Sequence, residues 1–333
     1  TRVRARVVSQ AIHELMIDSD KILIMGHQRE DYDALGGIIG VAAIARALGK
    51  DVRIALSKET SAIDKMVNVL NESEFWEENI ITAEAARVWV DANTLTVVCD
   101  THRQEMVAAQ EALEISERRI VIDHHRRAAD FVENPLLTYL EPTASSTSEL
   151  VTELVQYIED DVRINKLTAE GLLAGISLDT KNFAFKTGVR TFEAASYLKK
   201  SGADTIEVKK LFNSDIKDFI TKAEIIQNAK VINNNICLAY TKTETDNINI
   251  VIAQAADELL NIKEVEASFV LARKDDRVFI SARSLGNINV HVLMENLGGG
   301  GHRDMAGAQL DTSLEKAYEM VKDTIQTYIK EEE

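Results

Sequence analysis

The sequence predicts an α/β protein: a parallel sheet with helices on both faces, then a helical connector, then a smaller α/β domain. Three observations predict it. Short apolar runs recur through the first half, each ending in polar residues and most followed by a helical pattern. These runs are continuously apolar rather than alternating, as strands buried on both faces are. After about residue 232 a fresh set of strand and helix patterns begins. We place the first domain at residues 1–190, the connector at 191–232 and the second domain at 233–333.

Taken in order, residues 3–18 (VRARVVSQAIHELMID) carry apolar positions at helical spacing. KILIMGH is the first strand, and a polar loop separates it from an Ala/Ile/Leu-rich helix that runs to Leu48. DVRIAL is the second strand; LTVVCDTHR (95–103) and RRIVIDHH (118–125) repeat the pattern of the first. Trp76 and Trp89 fall in a helical stretch between strands and read as packing residues. TAEGLLAGISL (168–178) is helical and leads into Asp179. TFEAASYLKK and DFITKAEIIQNAKVI are helical segments of the connector. NICLAYTKT, EASFVLAR and RVFISARS are strands, and INVHVLMENL is a helix that runs into Gly298–Gly301.

Composition narrows the class of function. With 45% apolar residues in 333, only two prolines (Pro135 and Pro142) and 15 glycines, the chain can bury a sizeable core and has no long disordered linker. Its 54 acidic and 38 basic residues give a formal charge of −16, which repels a long polyanion and argues for a small substrate. Cys99 and Cys237 match neither zinc spacing nor a disulfide framework, so a reducing cytoplasm is the expected compartment. The longest near-apolar stretch, Ala34 to Ala45, falls short of the ~20 residues a bilayer needs, and no signal peptide precedes it. Because the chain starts at Thr1, the expectation is a piece of a longer protein.

His27, Asp100 and the run Asp123, His124, His125 each follow the last apolar residues of a separate strand. In a parallel sheet these would gather at the carboxyl edge, where ligands collect. The loop GHQREDYDALGG adds Asp31 and Asp33; read alone, Asp33 is as well explained as a helix N-cap. With Asp179 the set becomes four carboxylates and two imidazoles without a thiolate, which suits manganese or a similar divalent ion. Four carboxylates on one edge repel one another, and charge balance implies about two cations. The substrate such a centre suits is a phosphate ester, and Arg103, Arg126 and Arg127 lie beside it in sequence, although any one of them could be an ordinary surface charge. GGGGHR (298–303) holds more glycines than a helix end needs and could cradle an anion on exposed N–H groups, with His302 and Arg283 as anchors. On its own the run reads as a flexible turn. His13 and His291 fall within helical patterns and read as structural, His102, two residues beyond Asp100, reads as a support behind the ligands, and no Ser/His/Asp arrangement is evident.

GHQREDYDALGG, VVCDTHR, VIDHH and LLAGISLDT resemble the four motifs of the DHH phosphoesterases, and SARS with GGGGH resembles the associated DHHA1 domain. IDHHRR, NPLLTYLEPTASSTSELVTELVQYI and LLAGISLDTKNFAFKTGVRTFEAASYL resemble the catalytic portion of GdpP-type cyclic di-AMP phosphodiesterases. The resemblance implies a phosphoric diester hydrolase that uses two manganese ions to convert cyclic di-AMP to linear pApA. It assigns His27, Asp31 and Asp100 to one metal, and Asp33, Asp100, His124 and Asp179 to the other, with Asp100 bridging. Asp33, Asp100, His124 and His125 form the catalytic set, His125 lying near the substrate phosphate or leaving group, and Asp123 is supporting. Arg283, Gly299, Gly300, Gly301 and His302, with Arg103, hold the nucleotide. It further implies a homodimer, and full-length relatives attached to the membrane with PAS and degenerate GGDEF domains upstream. A short-oligonucleotide or RecJ-like nuclease is the alternative from the same superfamily, and a non-catalytic nucleotide-binding module the alternative from another class. The first motif departs from the commoner pattern, which has proline where this chain has Glu30 and serine where it has Gly37.

Overall fold

The computed structural model describes residues 2–57, 62–158, 162–233 and 235–332, and the chain divides into two compact units, Thr1–Asn213 and Ser214–Glu333. The first unit contains α1 (Arg2–Ile17), β1 (Lys21–Met25), α2 (Tyr32–Ala47), β2 (Asp51–Ala55), α3 (Asp64–Asn71), α4 (Glu74–Asn79), β3 (Ile80–Ile81), α5 (Ala83–Trp89) and β4 (Thr94–Cys99). It continues through α6 (Gln110–Ile115), β5 (Arg118–Asp123), β6 (Leu137–Leu140), α7 (Thr147–Tyr157), α8 (Lys166–Asp179), α9 (Val189–Lys200) and α10 (Thr205–Leu211). Its six strands form one sheet in the order β3-β2-β1-β4-β5-β6, every pairing parallel.

Alternate residues of each central strand feed opposite cores, which is why these strands are apolar throughout. Ile22, Ile24, Val97, Ile120 and Ile122 pack into a core shared with α1, α2, α7 and α8. Leu23, Met25, Val98 and Val121 pack into a second core with Ala86 and Val90 on one side and Ala112 and Leu113 on another. Helices therefore cover both faces, as the apolar runs predicted. The strand order reverses between β1 and β4, because β1 leads outward to β2 while β4 returns to its other side. At such a switch point the loops beyond the carboxyl ends splay apart and leave a crevice.

The second unit contains α11 (Ile216–Gln227), β7 (Lys230–Ile232), β8 (Ile236–Thr241), α12 (Ile248–Leu259), β9 (Ala267–Lys274), β10 (Arg277–Ser284), α13 (Val290–Glu295), β11 (Gly300–Gly301), β12 (Met305–Leu310) and α14 (Leu314–Glu332). Its sheet runs β11-β12-β10-β9-β8-β7, antiparallel except for the β8–β9 pair.

Three local expectations change. The stretch expected as the connector is shared between the units: α9 and α10 pack in the first, and α11 opens the second. The helix read through DFITKAEIIQNAKVI stops at Gln227, since the β-branched Val231 and Ile232 pair with Cys237 and Ile236 as a strand. The stretch holding Trp76 and Trp89 is not one helix, because Ile80 and Ile81 add a short edge strand between α4 and α5.

Candidate metal centre

Three strand ends (β1, β4 and β5, the last leading into His124) and two helix ends bring the candidate ligands together. His27 lies just beyond β1, where a bridge to Val107 fixes the loop: the Gln28 N–H donates to the Met106 carbonyl (2.5 Å) and the Ala108 N–H to the Gly26 carbonyl (2.9 Å). Asp31 caps α2, its Oδ1 accepting from the Asp33 and Ala34 N–H groups at 2.9 and 3.1 Å. Asp33 follows in the first turn of α2 and is fully buried. Asp100 sits at the end of β4 with φ +62, a left-handed conformation that costs a non-glycine residue of order 1 kcal/mol or more. Asp179 is the last residue of α8.

The α2–α8 packing sets where Asp33 and Asp179 meet. At Gly175 an added Cβ would stand 2.8 Å from Asp33 Oδ1 and closer still to Ser148 Oγ, so only a glycine leaves room for the carboxylate. The N-terminus of α7 then holds that carboxylate in place: the Thr147 N–H donates to Asp33 Oδ2 (2.7 Å) and the Ser148 N–H to Asp33 Oδ1 (2.8 Å). Thr147 Oγ1 donates to Asp100 Oδ1 at 3.0 Å. Thr147 and Ser148 were not singled out in the sequence. The signal available for them is Ser146 with Glu149 three residues later, an N-terminal capping signature before an apolar run.

The donors group into triads: His27, Asp31 and Asp100; Asp33, His124 and Asp179; and Asp100, His124 and His125. Within each, the ligand atoms lie within 4.8 Å of one another. Asp100 turns one oxygen to each side, Oδ2 lying 3.4 Å from His27 Nε2 and Oδ1 3.6 Å from His124 Nε2. His124 Nε2 also faces Asp179 Oδ2 at 3.0 Å and Asp33 Oδ2 at 3.8 Å, yet it is buried without a hydrogen bond. A buried imidazole nitrogen surrounded by carboxylate oxygens and bonded to none of them fits a cation among these donors.

The electrostatics agree. Burial, and then the charges of Asp33, Asp31, Asp179 and Asp123, push Asp100 well above the ordinary carboxylate range. Burial likewise raises Asp31, and burial with the Asp33 charge brings Asp179 up to about 6. Burial alone would lower His124, but the Asp179 and Asp33 carboxylates outweigh it and lift the imidazole to about 9. Without a cation, protons must supply the missing positive charge.

Asp123 plays a different part. Although burial works against its charge, hydrogen bonds from His125 and His102 hold its carboxyl down at about 2. Its Oδ1 accepts from the His125 N–H (3.0 Å) and Nδ1 (2.8 Å), and its Oδ2 from His102 Nδ1 (2.5 Å). The Ala128 N–H donates to His102 Nε2 at 2.8 Å, which fixes the proton of the buried His102 on Nδ1. His125 is thus oriented while half its side chain stays exposed.

The remaining candidates belong to none of the triads. Arg103 is committed to Asp130, its Nε donating to both carboxylate oxygens at 2.9 and 3.0 Å. Arg126 is exposed, and Arg127 lies over the Phe131 ring. In the second unit Arg283 is buried on β10, its Nη1 donating to Ser281 Oγ and the Ala282 carbonyl, with Nε 3.3 Å from Asp257 and without a hydrogen bond. The glycine run is an ordered strand end rather than a flexible turn. Gly300 pairs with Gly307 and Gly301 with Ala306, and a Cβ at Gly299 or Gly301 would collide with the backbone of β12. His302 follows at the exposed tip of the β11–β12 hairpin, closed by the His302 N–H donating to the Met305 carbonyl at 2.6 Å.

Comparison with known proteins defines the class. Residues 21–176 match the DHH family, N-terminal domain, and residues 233–331 match the DHHA1 domain; the chain belongs to the DHH family and carries a DHHA1 domain. Among particular relatives, it is 42% identical over 336 residues to the cyclic-di-AMP phosphodiesterase GdpP of Bacillus subtilis (strain 168), covering 99% of this chain and 51% of that protein. It is 40% identical to the cyclic-di-AMP phosphodiesterase PdeA of Listeria monocytogenes serotype 1/2a (strain 10403S), covering 100% and 51%. The chain spans about half the length of these curated relatives. Its fold matches the crystal structure of an exopolyphosphatase-related protein from Bacteroides fragilis with a TM-score of 0.84 at 22% identity, covering 97% of this chain and 96% of that one. Among the described residues, no helix is long and apolar enough to cross a membrane.

Proposed function

We propose that this chain is the catalytic portion of a phosphodiesterase that hydrolyses cyclic di-AMP to linear pApA with two divalent cations, manganese suiting the donor set best. The observation that carries the two-cation reading is Asp100, whose two oxygens face separate triads. His27, Asp31 and Asp100 would hold one ion; Asp33, Asp100, His124 and Asp179 the other. Such a pair of ions supplies a water nucleophile at neutral pH and charge stabilisation for an in-line displacement at phosphorus.

The chain's own residues do the rest. Thr147 and Ser148 fix Asp33 so that the ligands are preorganised. His125, held at Nδ1 by Asp123, presents its other ring nitrogen to the phosphate and the leaving oxygen. Gly299, Gly300, Gly301 and His302, with Arg283, hold the nucleotide, while Arg103 contributes only if it exchanges Asp130 for phosphate. Cyclic di-AMP as the substrate rests on the two relatives at 40% and 42% identity. The longer protein, by the same resemblance, is a membrane-attached homodimer with PAS and degenerate GGDEF domains ahead of this portion, its catalytic part facing the cytoplasm.

Chromatography of products from cyclic di-AMP, cyclic di-GMP and linear pApA with manganese tests the reading. Conversion of cyclic di-AMP to pApA is the expected result. Rapid cleavage of pApA with the cyclic substrates left intact would replace it with a short-oligonucleotide nuclease, and no turnover of any of them with a binding module.

A further inference from the structure

The loop that carries His27 and Asp31 is pinned from both neighbouring strands of β1, and the two pins differ in kind. Toward β4 the pin is backbone, through the Gln28–Met106 and Gly26–Ala108 hydrogen bonds. Toward β2 it is a side chain. Glu30 is fully buried; its Oε1 accepts from the Ser57 N–H at 2.8 Å and its Oε2 from the Ser57 hydroxyl at 2.7 Å. The Arg29 N–H also reaches Ser57 Oγ, at 3.4 Å, and Arg29 has φ +63. Ser57 itself lies just beyond the end of β2, where the Leu56 N–H donates to the Ile81 carbonyl at 3.2 Å.

A carboxylate taken wholly out of water is expensive and persists only where its partners are fixed. Glu30 belongs to none of the metal-binding triads, and the chemistry proposed above gives it no task. It does stand directly before Asp31, between a left-handed residue and a helix cap. Asp31 has little freedom once both sides of the loop are tied. We infer that Glu30 is a positioning residue: by clamping the loop to Ser57 at the end of β2 it fixes Asp31, and with it the His27–Asp31–Asp100 triad, for a divalent cation.

The inference rests on the two-ion reading, and manganese binding to the intact chain, followed by calorimetry and by the spin-resonance signal of the ion, tests both separately. The wild-type protein, stripped of metal, should take up two ions; uptake of one or none would defeat the two-ion reading whatever the variants do. Glu30→Ala should weaken one of the two sites about 10–100-fold, as loss of a residue supporting a ligand does, and leave the other unchanged. Glu30→Gln, which can still accept the Ser57 N–H, should restore most of that loss. Excess manganese should return turnover of Glu30→Ala toward the wild-type value. Ser57→Ala removes the hydroxyl that bonds Glu30 Oε2 and the Arg29 N–H, keeps the Ser57 N–H bond to Oε1 and adds no bulk, so it serves if Glu30→Ala fails to fold, and it should weaken the same single site by several-fold. Unchanged uptake in a folded Glu30→Ala protein would overturn the inference. So would equal weakening of both sites in Glu30→Ala and Glu30→Gln alike, since that pattern belongs to general destabilisation.

Discussion

The carboxyl edge of the first sheet and the glycine hairpin of the second unit, proposed above to hold metal and nucleotide respectively, are built in two different ways. At the first, side chains do the work: Asp31, Asp33, Asp100 and Asp179 crowd together, and burial and mutual repulsion raise the pKa values of Asp31, Asp100 and Asp179. At the second, the backbone does it, since Gly299 and Gly301 are there because any side chain would strike β12. The first arrangement is electrostatically poor until positive charge enters. The second carries no such crowd of like charges, and its backbone pairs Gly300 with Gly307 and Gly301 with Ala306. The contrast predicts that changes at the edge should act through metal and catalysis, and changes at the hairpin through shape and substrate affinity.

The severest test of that division is Asp100→Asn, which removes charge from the position facing both triads. Turnover with manganese should fall on the order of 10³-fold with folding intact, because the buried site also loses a repelling carboxylate; near-normal activity would discard the assignment. Next comes Gly299→Ala, whose Cβ must displace β12 and should cost about 1–3 kcal/mol in denaturant unfolding. Manganese uptake should not change, and if it did the two regions would not be independent.

The pH dependence of metal binding sharpens the electrostatic side. His124 is raised to about 9 in the metal-free protein and must lose its proton to ligate. Binding near neutral pH should therefore release at least one proton, together with any that Asp100, held well above the ordinary carboxylate range, still carries, and affinity should rise at least about tenfold per pH unit until His124 is deprotonated near pH 9. Asp179, raised to about 6, adds a further proton only at lower pH. Calorimetry in buffers of differing ionisation enthalpy counts the protons; a pH-independent affinity would mean that His124 is not a ligand. The smallest effect belongs to His302→Ala, which should raise KM about five- to tenfold with kcat unchanged if the exposed imidazole only holds substrate. A collapse of kcat would move His302 into the chemistry.

Much of this molecule is legible in its sequence. The apolar runs give the parallel sheet, and polar residues at their ends give His27, Asp100 and His124, because strand direction alone decides which end they share. The glycine run is legible as composition but not as conformation, since nothing local says that β12 will lie against it. Thr147, Ser148, Gly175 and Glu30 stay hidden for a related reason: each acts on a partner more than 25 residues away.

By itself, then, the sequence determined which chemical groups stand at the strand ends and what charge they carry, because strand periodicity and residue type are local properties. Only the tertiary structure decided that Asp100 turns one oxygen to each triad, that the amides of α7 grip Asp33, and that Glu30 is buried against Ser57. Those are distances between segments far apart in the chain, set by how helices and strands pack, and no local pattern encodes them.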